Sequence, residues 1–398
     1  MTLASHLDNA SAARVSTLIW GSPGVGKSAA IRHWAASRNL PCWTIIASLR
    51  EPADFGGLPV VSRDHSGTGI EGVPAVSFAP PRFAIEAARR GGVIFLDELT
   101  TAPPAVQAAL LRAVLDLAFG DLELDPARVT VIAAANPQSE AAGGWDLAAP
   151  LANRFVHHTY AVNPTAWVDA FPTYWGAAPE LGFAGQTVDA AAWQRARLQV
   201  AAYIRSNPAS LFALPKAASR QGQAWPSPRS WDFASRLLAR VSAMGDEPAS
   251  ALSLLAGCVG EGPAAGFLAW LAAADLPDPE VLLADPDAYV HSNRGDISWA
   301  VLTAVAQAVI DRPTAPRWRA AWKVLGSAAR AGGTDVATPA MQSLVAIRSA
   351  KLPLPKDFEA FFPIFEAVGI IASVGSNGKP TKQSAHKSGV TGWGGLPS

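Results

Sequence analysis

The chain has 398 residues, 49% of them apolar, and 32 basic side chains balance 32 acidic ones. That length gives room for two or three domains with real cores, and the even charge lacks the basic excess of a protein that tracks nucleic acid, a local patch aside. Met1 to Ala13 is polar with no apolar core segment, so no signal peptide is expected, and no run approaches the roughly 18 apolar residues of a membrane span.

The first strong signal follows a short apolar run, Val15 to Trp20, expected to be a strand. Gly21-Ser22-Pro23-Gly24-Val25-Gly26-Lys27-Ser28 comes next, and Ala29 to Ala35 reads as a helix. Strand, glycine-rich turn and helix are the context of a phosphate-binding loop. Glycines let backbone N–H groups converge on an anion, and the positive end of the helix dipole points to the same place. Lys27 would reach the β- and γ-phosphates, and the Ser28 hydroxyl would take one position on Mg²⁺. Gly21 through Ala29 are therefore the candidate nucleotide-binding residues.

Asn39-Leu40-Pro41 breaks the pattern, and Trp43 to Ser48 reads as a buried strand. Residues 51–81 are rich in Gly, Pro and Ser, with apolar runs Leu58–Val61 and Val73–Phe78 bracketing a turn cluster, Asp64 to Gly69; an inserted hairpin is expected. A helix runs from Pro80-Pro81 through Ala88 and ends at Gly91-Gly92. Val93-Ile94-Phe95-Leu96 predicts a strand buried on both faces, and it delivers Asp97 and Glu98 at its carboxyl end, where open α/β sheets place ligands. Asp97 can hold the Mg²⁺ shell through water, while Glu98 can orient and deprotonate the water that attacks the γ-phosphate. A capped helix follows over 105–117, then a small hairpin at Gly120-Asp121, then a buried strand, Val129 to Ala135. That strand ends at Asn136-Pro137, where the amide either bonds the attacking water or γ-phosphate, or simply caps a turn. His157 and His158 fall on the strand 156–160 and point to opposite faces, which is wrong for chelating one metal. The two cysteines, Cys42 and Cys258, are far apart and read as small buried side chains.

In this order, Gly21–Ser28, an insertion, Val93–Glu98, Asn136 and then Asn153-Arg154-Phe155, the motifs resemble the AAA+ ATPases. The likeness is to the MoxR-like and dynein-related group that also contains the NorQ, CbbQ and GvpN proteins. Asp54-Phe55-Gly56-Gly57-Leu58-Pro59 looks like the start of that group's helix-2 insertion, and Leu117–Leu124 lies where its pre-sensor hairpin falls. The resemblance implies an α/β fold, a P-loop αβα sandwich on a parallel five-stranded sheet, followed by an α-helical lid and a helical C-terminal extension. It implies ATP and Mg²⁺ as the bound pair, Asn136 as sensor 1, and Arg154 as a finger reaching into the neighbouring subunit's ATP. A surface ion pair is the other reading of Arg154.

Pro164 to Phe183 reads as irregular and aromatic-rich, and Ala190–Ile204 as a helix. Ser227-Pro228-Arg229 opens a helix that runs to about Met244, with Ser227 as N-cap and Pro228 in the first turn. It looks like the group's sensor 2, with Arg229 reaching the γ-phosphate from the lid in cis or in trans; otherwise Arg229 is an exposed first-turn arginine. Further helices are expected near 249–258, 264–274, 297–310, 317–330 and 341–349, with Trp270, Trp299, Trp318 and Trp322 in the core. The divisions expected are 1–162 for the P-loop part, 163–260 for linker and lid, 261–371 for the extension and 372–398 for a disordered tail. By the resemblance, the chain forms a homo-oligomeric ring, usually hexameric, and hydrolyses MgATP to remodel or activate a protein client, commonly with a von Willebrand factor A domain partner. With no signal peptide, membrane span or disulfide framework expected, the chain reads as cytoplasmic, and its alanine richness and scarce lysine point to a GC-rich bacterial genome. A nucleotide-gated switch and a nucleic-acid motor are the competing classes. Retention of both Asp97 and Glu98 argues against the first, and the neutral charge against the second.

Overall fold

The computed structural model describes residues 2–62, 75–140, 144–172, 182–183, 186–245, 248–274, 276–349 and 351–362. The turn cluster Asp64–Gly69 and the tail 372–398 lie outside these residues. The chain forms two compact units, Met1–Val162 and Asn163–Pro397.

In the first unit the apolar runs become the strands β1 (Thr17–Trp20), β2 (Cys42–Ile46), β5 (Gly92–Asp97), β8 (Val129–Ala135) and β9 (Val156–Thr159) of one sheet, ordered β2-β5-β8-β1-β9. Every pairing is parallel. Between β2 and β5 lie the hairpin strands β3 (Leu58–Ser62) and β4 (Ala75–Ala79), and between β5 and β8 the two-residue strands β6 (Ala118–Phe119) and β7 (Leu122–Glu123). The helices are α1 (Leu3–Ala12), α2 (Lys27–Ser37), α3 (Ala53–Gly56), α4 (Arg82–Arg90), α5 (Pro104–Leu115) and α6 (Ala149–Ala152).

Because successive strand side chains point to opposite faces, the sheet sorts its own core into two layers. Leu18, Ile94, Leu96, Val131, Ala133 and Ala135 pack with Ala84 and Ala87 of α4 and with Val106 and Leu110 of α5. Ile19, Val93, Phe95, Ile132 and Ala134 pack with Leu3 and Leu7 of α1 and with Ile31 and Trp34 of α2. The result is the αβα sandwich expected from the sequence.

Helix α1 was not expected: the polar start of the chain hides Leu3 and Leu7, which at i, i+4 spacing form a narrow apolar stripe. Asp8 on the same helix accepts from Trp34 Nε1 at 3.0 Å and from Arg38, and the Arg38 guanidinium holds its carboxyl below the usual carboxylate range. Cys42 and Cys258 are both free and only partly buried, a correction to the expected burial. Cys42 opens β2 at the edge of the sheet, where one side lacks a neighbouring strand.

The second unit is helical: α7 (Pro164–Ala170), α8 (Ala190–Ser206), α9 (Ala218–Gln221), α10 (Pro228–Ala243), α11 (Leu252–Val259), α12 (Glu261–Ala273), α13 (Pro279–Ala284), α14 (Gly295–Asp311), α15 (Ala315–Arg330) and α16 (Thr334–Ala346). Helix α7 corrects the irregular reading for 164–170, while 173–181 lie outside the described residues: Asn163 caps the helix by accepting from Ala166 N at 3.1 Å, and proline occupies its first turn. Helix α16 starts seven residues before the expected Met341 and runs through Pro339. Trp299, Trp318 and Trp322 are fully buried as expected, whereas Trp270 is only half-buried and donates its Nε1 to Asp296 at 2.8 Å.

Leu7 is fully buried, so Leu7→Ala is expected to destabilise the chain by about 2–5 kcal/mol in urea denaturation, against no change if α1 is dispensable. His158 on β9 stacks against His6 of α1 with ring centroids 4.5 Å apart. Burial, and then the neighbouring His6, push the His158 imidazole below its ordinary value of 6.5. The unfolded chain therefore takes up that proton first, so stability holds above about pH 6.5 and declines as the pH falls through it. Urea midpoints taken between neutral and mildly acid pH should show this slope, and His158→Gln should flatten it.

Candidate functional site

Parallel register brings the carboxyl ends of β5, β8 and β1 to one edge of the sheet. Trp20 pairs with Ala135 and Leu96 with Ala133, so the residues that follow these strands emerge side by side. Gly21 follows β1, Asp97 ends β5 with Glu98 after it, and Asn136 follows β8. This is the edge at which open α/β sheets bind ligands.

The loop 21–26 is locally determined. Gly21 N donates to Ala135 O at 3.2 Å, and a Cβ on Gly21 would meet Tyr160 O at 2.6 Å, so only glycine fits this close approach. Gly26 caps α2 with φ at 99°, a left-handed conformation that other residues reach only with strain, and no side chain caps the helix. The first N–H groups of α2 are thus left for an anion. Ser22 and Pro23 are half-buried, Gly24 and Val25 buried, and Ala29 exposed on the first turn of α2.

Lys27 is 7% exposed, and its Nζ donates to Gly21 O at 2.6 Å, to Ser22 O at 3.0 Å and to Asn136 Oδ1 at 2.7 Å. Ser28 Oγ donates to Asp97 Oδ2 at 2.6 Å. The structure therefore brings Lys27 to Asn136, 109 residues away, and Ser28 to Asp97, two hydrogen-bonded pairs that share the first turn of α2. The hydroxyl and carboxylate of Ser28 and Asp97 form a hard-oxygen donor pair, which suits Mg²⁺ rather than a softer metal.

Glu98 is exposed and sits at φ 57°, ψ 43°, left-handed for a residue that carries a Cβ. Such a conformation costs of order 1–3 kcal/mol and persists where the surroundings over-determine it. Here Glu98 N donates to Asp97 Oδ1 at 3.0 Å, Thr101 Oγ1 donates to Glu98 O at 2.8 Å, and Ser48 Oγ donates to Glu98 Oε2 at 3.2 Å. Ser48 was read from the sequence only as the end of a strand. Its role comes from β2 lying beside β5, a pairing that no local pattern states.

Arg154 stands apart from this group. It is half-buried in the turn after α6, its Nη1 donates to Pro150 O at 2.6 Å, and no hydrogen bond joins it to Asp97 or Glu98 among the described residues. The segment leading to it is fixed by the buried Gln107, whose amide donates to Asp146 O at 3.3 Å and accepts from Ala148 N at 2.8 Å. Arg229 belongs to the second unit, exposed at the second position of α10. Ser227 and Ser230 form a reciprocal capping box at that helix start.

Residues 70–155 match the AAA domain (dynein-related subfamily), a stretch that contains Asp97, Glu98, Asn136 and Arg154. No curated protein matches the sequence. Among solved structures the chain is similar to a candidate ATPase from Cytophaga hutchinsonii, at 16% identity and a TM-score of 0.29, over 66% of this chain and 82% of that one. It is also similar to a proline-to-glycine variant of RuvB from Thermotoga maritima, at 14% identity and a TM-score of 0.33, over 90% and 92% of the two chains.

Lys27→Ala removes a charge-assisted donor worth about 1.5–3 kcal/mol, so a fluorescent ATP analogue should bind about tenfold to a hundredfold more weakly. Ser28→Ala should abolish the Mg²⁺-dependent part of that affinity and leave binding in EDTA unchanged. Titration with and without the metal distinguishes the two roles.

Proposed function

We propose that this chain, which carries an AAA domain of the dynein-related type, hydrolyses MgATP in an oligomeric ring of the MoxR-like kind and uses the energy to remodel or activate a protein client. The observation that carries the reading is the convergence of Lys27, Ser28, Asp97 and Asn136 on one sheet edge, with Glu98 projecting beside them. Lys27 and the first turn of α2 would hold the phosphates, and Ser28 with Asp97 would hold Mg²⁺. The metal would neutralise charge on the β- and γ-phosphate oxygens. Glu98 would accept the proton of the attacking water, and Asn136 would orient that water or the γ-phosphate.

Arg154 lies outside the Lys27–Asp97 group and on a turn of its own, which supports a role towards a neighbouring copy rather than its own nucleotide. An arginine supplied in trans stabilises charge on the transferred phosphoryl and is worth ~10³–10⁵ in rate. Arg229 would act from the helical unit. The client is a protein, and by the family resemblance a von Willebrand factor A domain protein is the partner class. Among the described residues, no helix is long and apolar enough to cross a membrane.

A second reading, a nucleotide-gated switch with little turnover, draws support from the Ser48 hydroxyl that engages Glu98. ATPase rate measured against protein concentration separates the two, with mass followed by light scattering. Specific activity should rise as rings assemble, and Arg154→Ala should stay assembled but lose at least about a thousandfold in rate. A concentration-independent rate from a monomer, untouched by Arg154→Ala, would overturn the ring reading. Turnover no faster than that of Glu98→Gln would leave the switch.

A further inference from the structure

Thr100 occupies the short helical turn Leu99–Thr101 that follows Glu98, and it is only 3% exposed. Its Oγ1 donates to the backbone oxygen of Asn136 at 3.2 Å. Its own carbonyl accepts from Trp145 N at 2.7 Å, at the head of the segment that leads to α6. Asn136 is thus held at two points: its peptide oxygen by Thr100, and its side-chain oxygen by Lys27 at 2.7 Å. On the other side of the same turn, Glu98 O accepts from both the backbone and the hydroxyl of Thr101, at 3.1 and 2.8 Å.

β5 and β8 are adjacent strands, but their ladder stops at Leu96 and Ala133. Past that point no ladder pairing ties the turn after β5 to the end of β8. The Thr100 hydroxyl makes that connection one step before the functional groups themselves. A buried hydroxyl on a side chain of valine's shape serves here through its hydrogen bond, since valine would fill the same volume without a polar atom to satisfy.

We infer that Thr100 is a positioning residue: it locks the left-handed turn that carries Glu98 to the strand end that carries Asn136, so that the two groups handling the attacking water keep one mutual geometry. This rests on the hydrolytic reading above. Thr100 touches neither phosphate nor water on this account. Phosphate and metal would be held by Lys27, Ser28 and Asp97; their contacts with Gly21, Ser22 and one another do not pass through Thr100, and the bond from Lys27 to Asn136 goes to the side-chain oxygen, not to the peptide oxygen that Thr100 holds. Loss of the hydroxyl should therefore slow the chemical step and spare nucleotide affinity.

The test uses the full chain with Thr100→Val, Thr100→Ser and, as the hydrolysis-dead reference, Glu98→Gln. Steady-state ATPase gives kcat and KM, a fluorescent ATP analogue gives Kd, and thermal unfolding reports the fold. Thr100→Val should lower kcat about tenfold or more, because small misplacements of reacting groups are expensive, while Kd stays within about twofold. Thr100→Ser, which keeps the donor, should restore most of the rate. The inference is overturned if Thr100→Val keeps the wild-type kcat, if Kd weakens in step with kcat, or if Thr100→Ser is as slow as the valine variant. If Thr100→Val does not fold, Thr100→Cys, whose thiol donates only weakly, takes its place in the same comparison. If the wild type turns over no faster than Glu98→Gln, the hydrolytic reading itself fails and the positioning role falls with it.

Discussion

The parallel register of β5, β8 and β1 is the constraint on which the candidate site depends. With Thr17 to Trp20 set against Ile132 to Ala135, and Gly92 to Leu96 against Val129 to Ala133, three chain segments end at matched heights. A slip of one residue in any of them would reverse every side chain across the sheet, since strand side chains alternate in face. The two apolar layers forbid that slip: Ile94 and Leu96 belong to one core, Val93 and Phe95 to the other. The same burial that stabilises the sandwich therefore fixes where Lys27, Asp97 and Asn136 meet. Core and site are one problem here.

The two halves of the edge are built differently. On the phosphate side, the loop is shaped by glycines that fit without strain, and Lys27 and Ser28 already bond across to Asn136 and Asp97. On the water side, Glu98 carries its Cβ in a left-handed conformation, held by Asp97 and Thr101 with Ser48 on its carboxylate. Strain of that kind needs neighbours that over-determine it. Those neighbours are two hydroxyl side chains from different strand ends and one carboxylate. The glycine-rich loop can thus keep its shape while the geometry of Glu98 depends on a few hydrogen bonds, each removable by a single substitution.

The sheet and the conformation of the glycine-rich loop were legible because they are local. Val93 to Leu96 is apolar without interruption, and Gly21 to Ser28 carries its own conformational requirement in its glycines. The hairpin at Gly120-Asp121 was legible for the same reason. What the sequence hid depends on partners distant along the chain. Ser48 matters because β2 pairs with β5, and Thr100 because its hydroxyl meets the peptide of Asn136 across 36 residues. Helix α1 was missed because its buried stripe holds only two large apolar side chains, Leu3 and Leu7, with small Ala10 beside them among polar neighbours. Helix α16 was cut short because Pro339 reads as a stop. There the helix continues through the proline, with Thr338 Oγ1 donating to Thr334 O at 2.7 Å.

The paired histidines show how one strand can serve two ends of the fold. They point to opposite faces of β9, as alternation requires, and each meets a different element. His158 faces His6 of α1. His157 accepts from Trp20 Nε1 at 2.9 Å on its Nδ1, which leaves the proton on Nε2 to donate to Ala152 O, also at 2.9 Å. Trp20 is the residue before Gly21, and Ala152 closes the helix whose turn carries Arg154. The loop that holds Lys27 and the turn that holds Arg154 therefore hang from adjacent strands and share one imidazole. The edge strand thus does more than close the sheet: it ties the position of Arg154 to that of the phosphate loop.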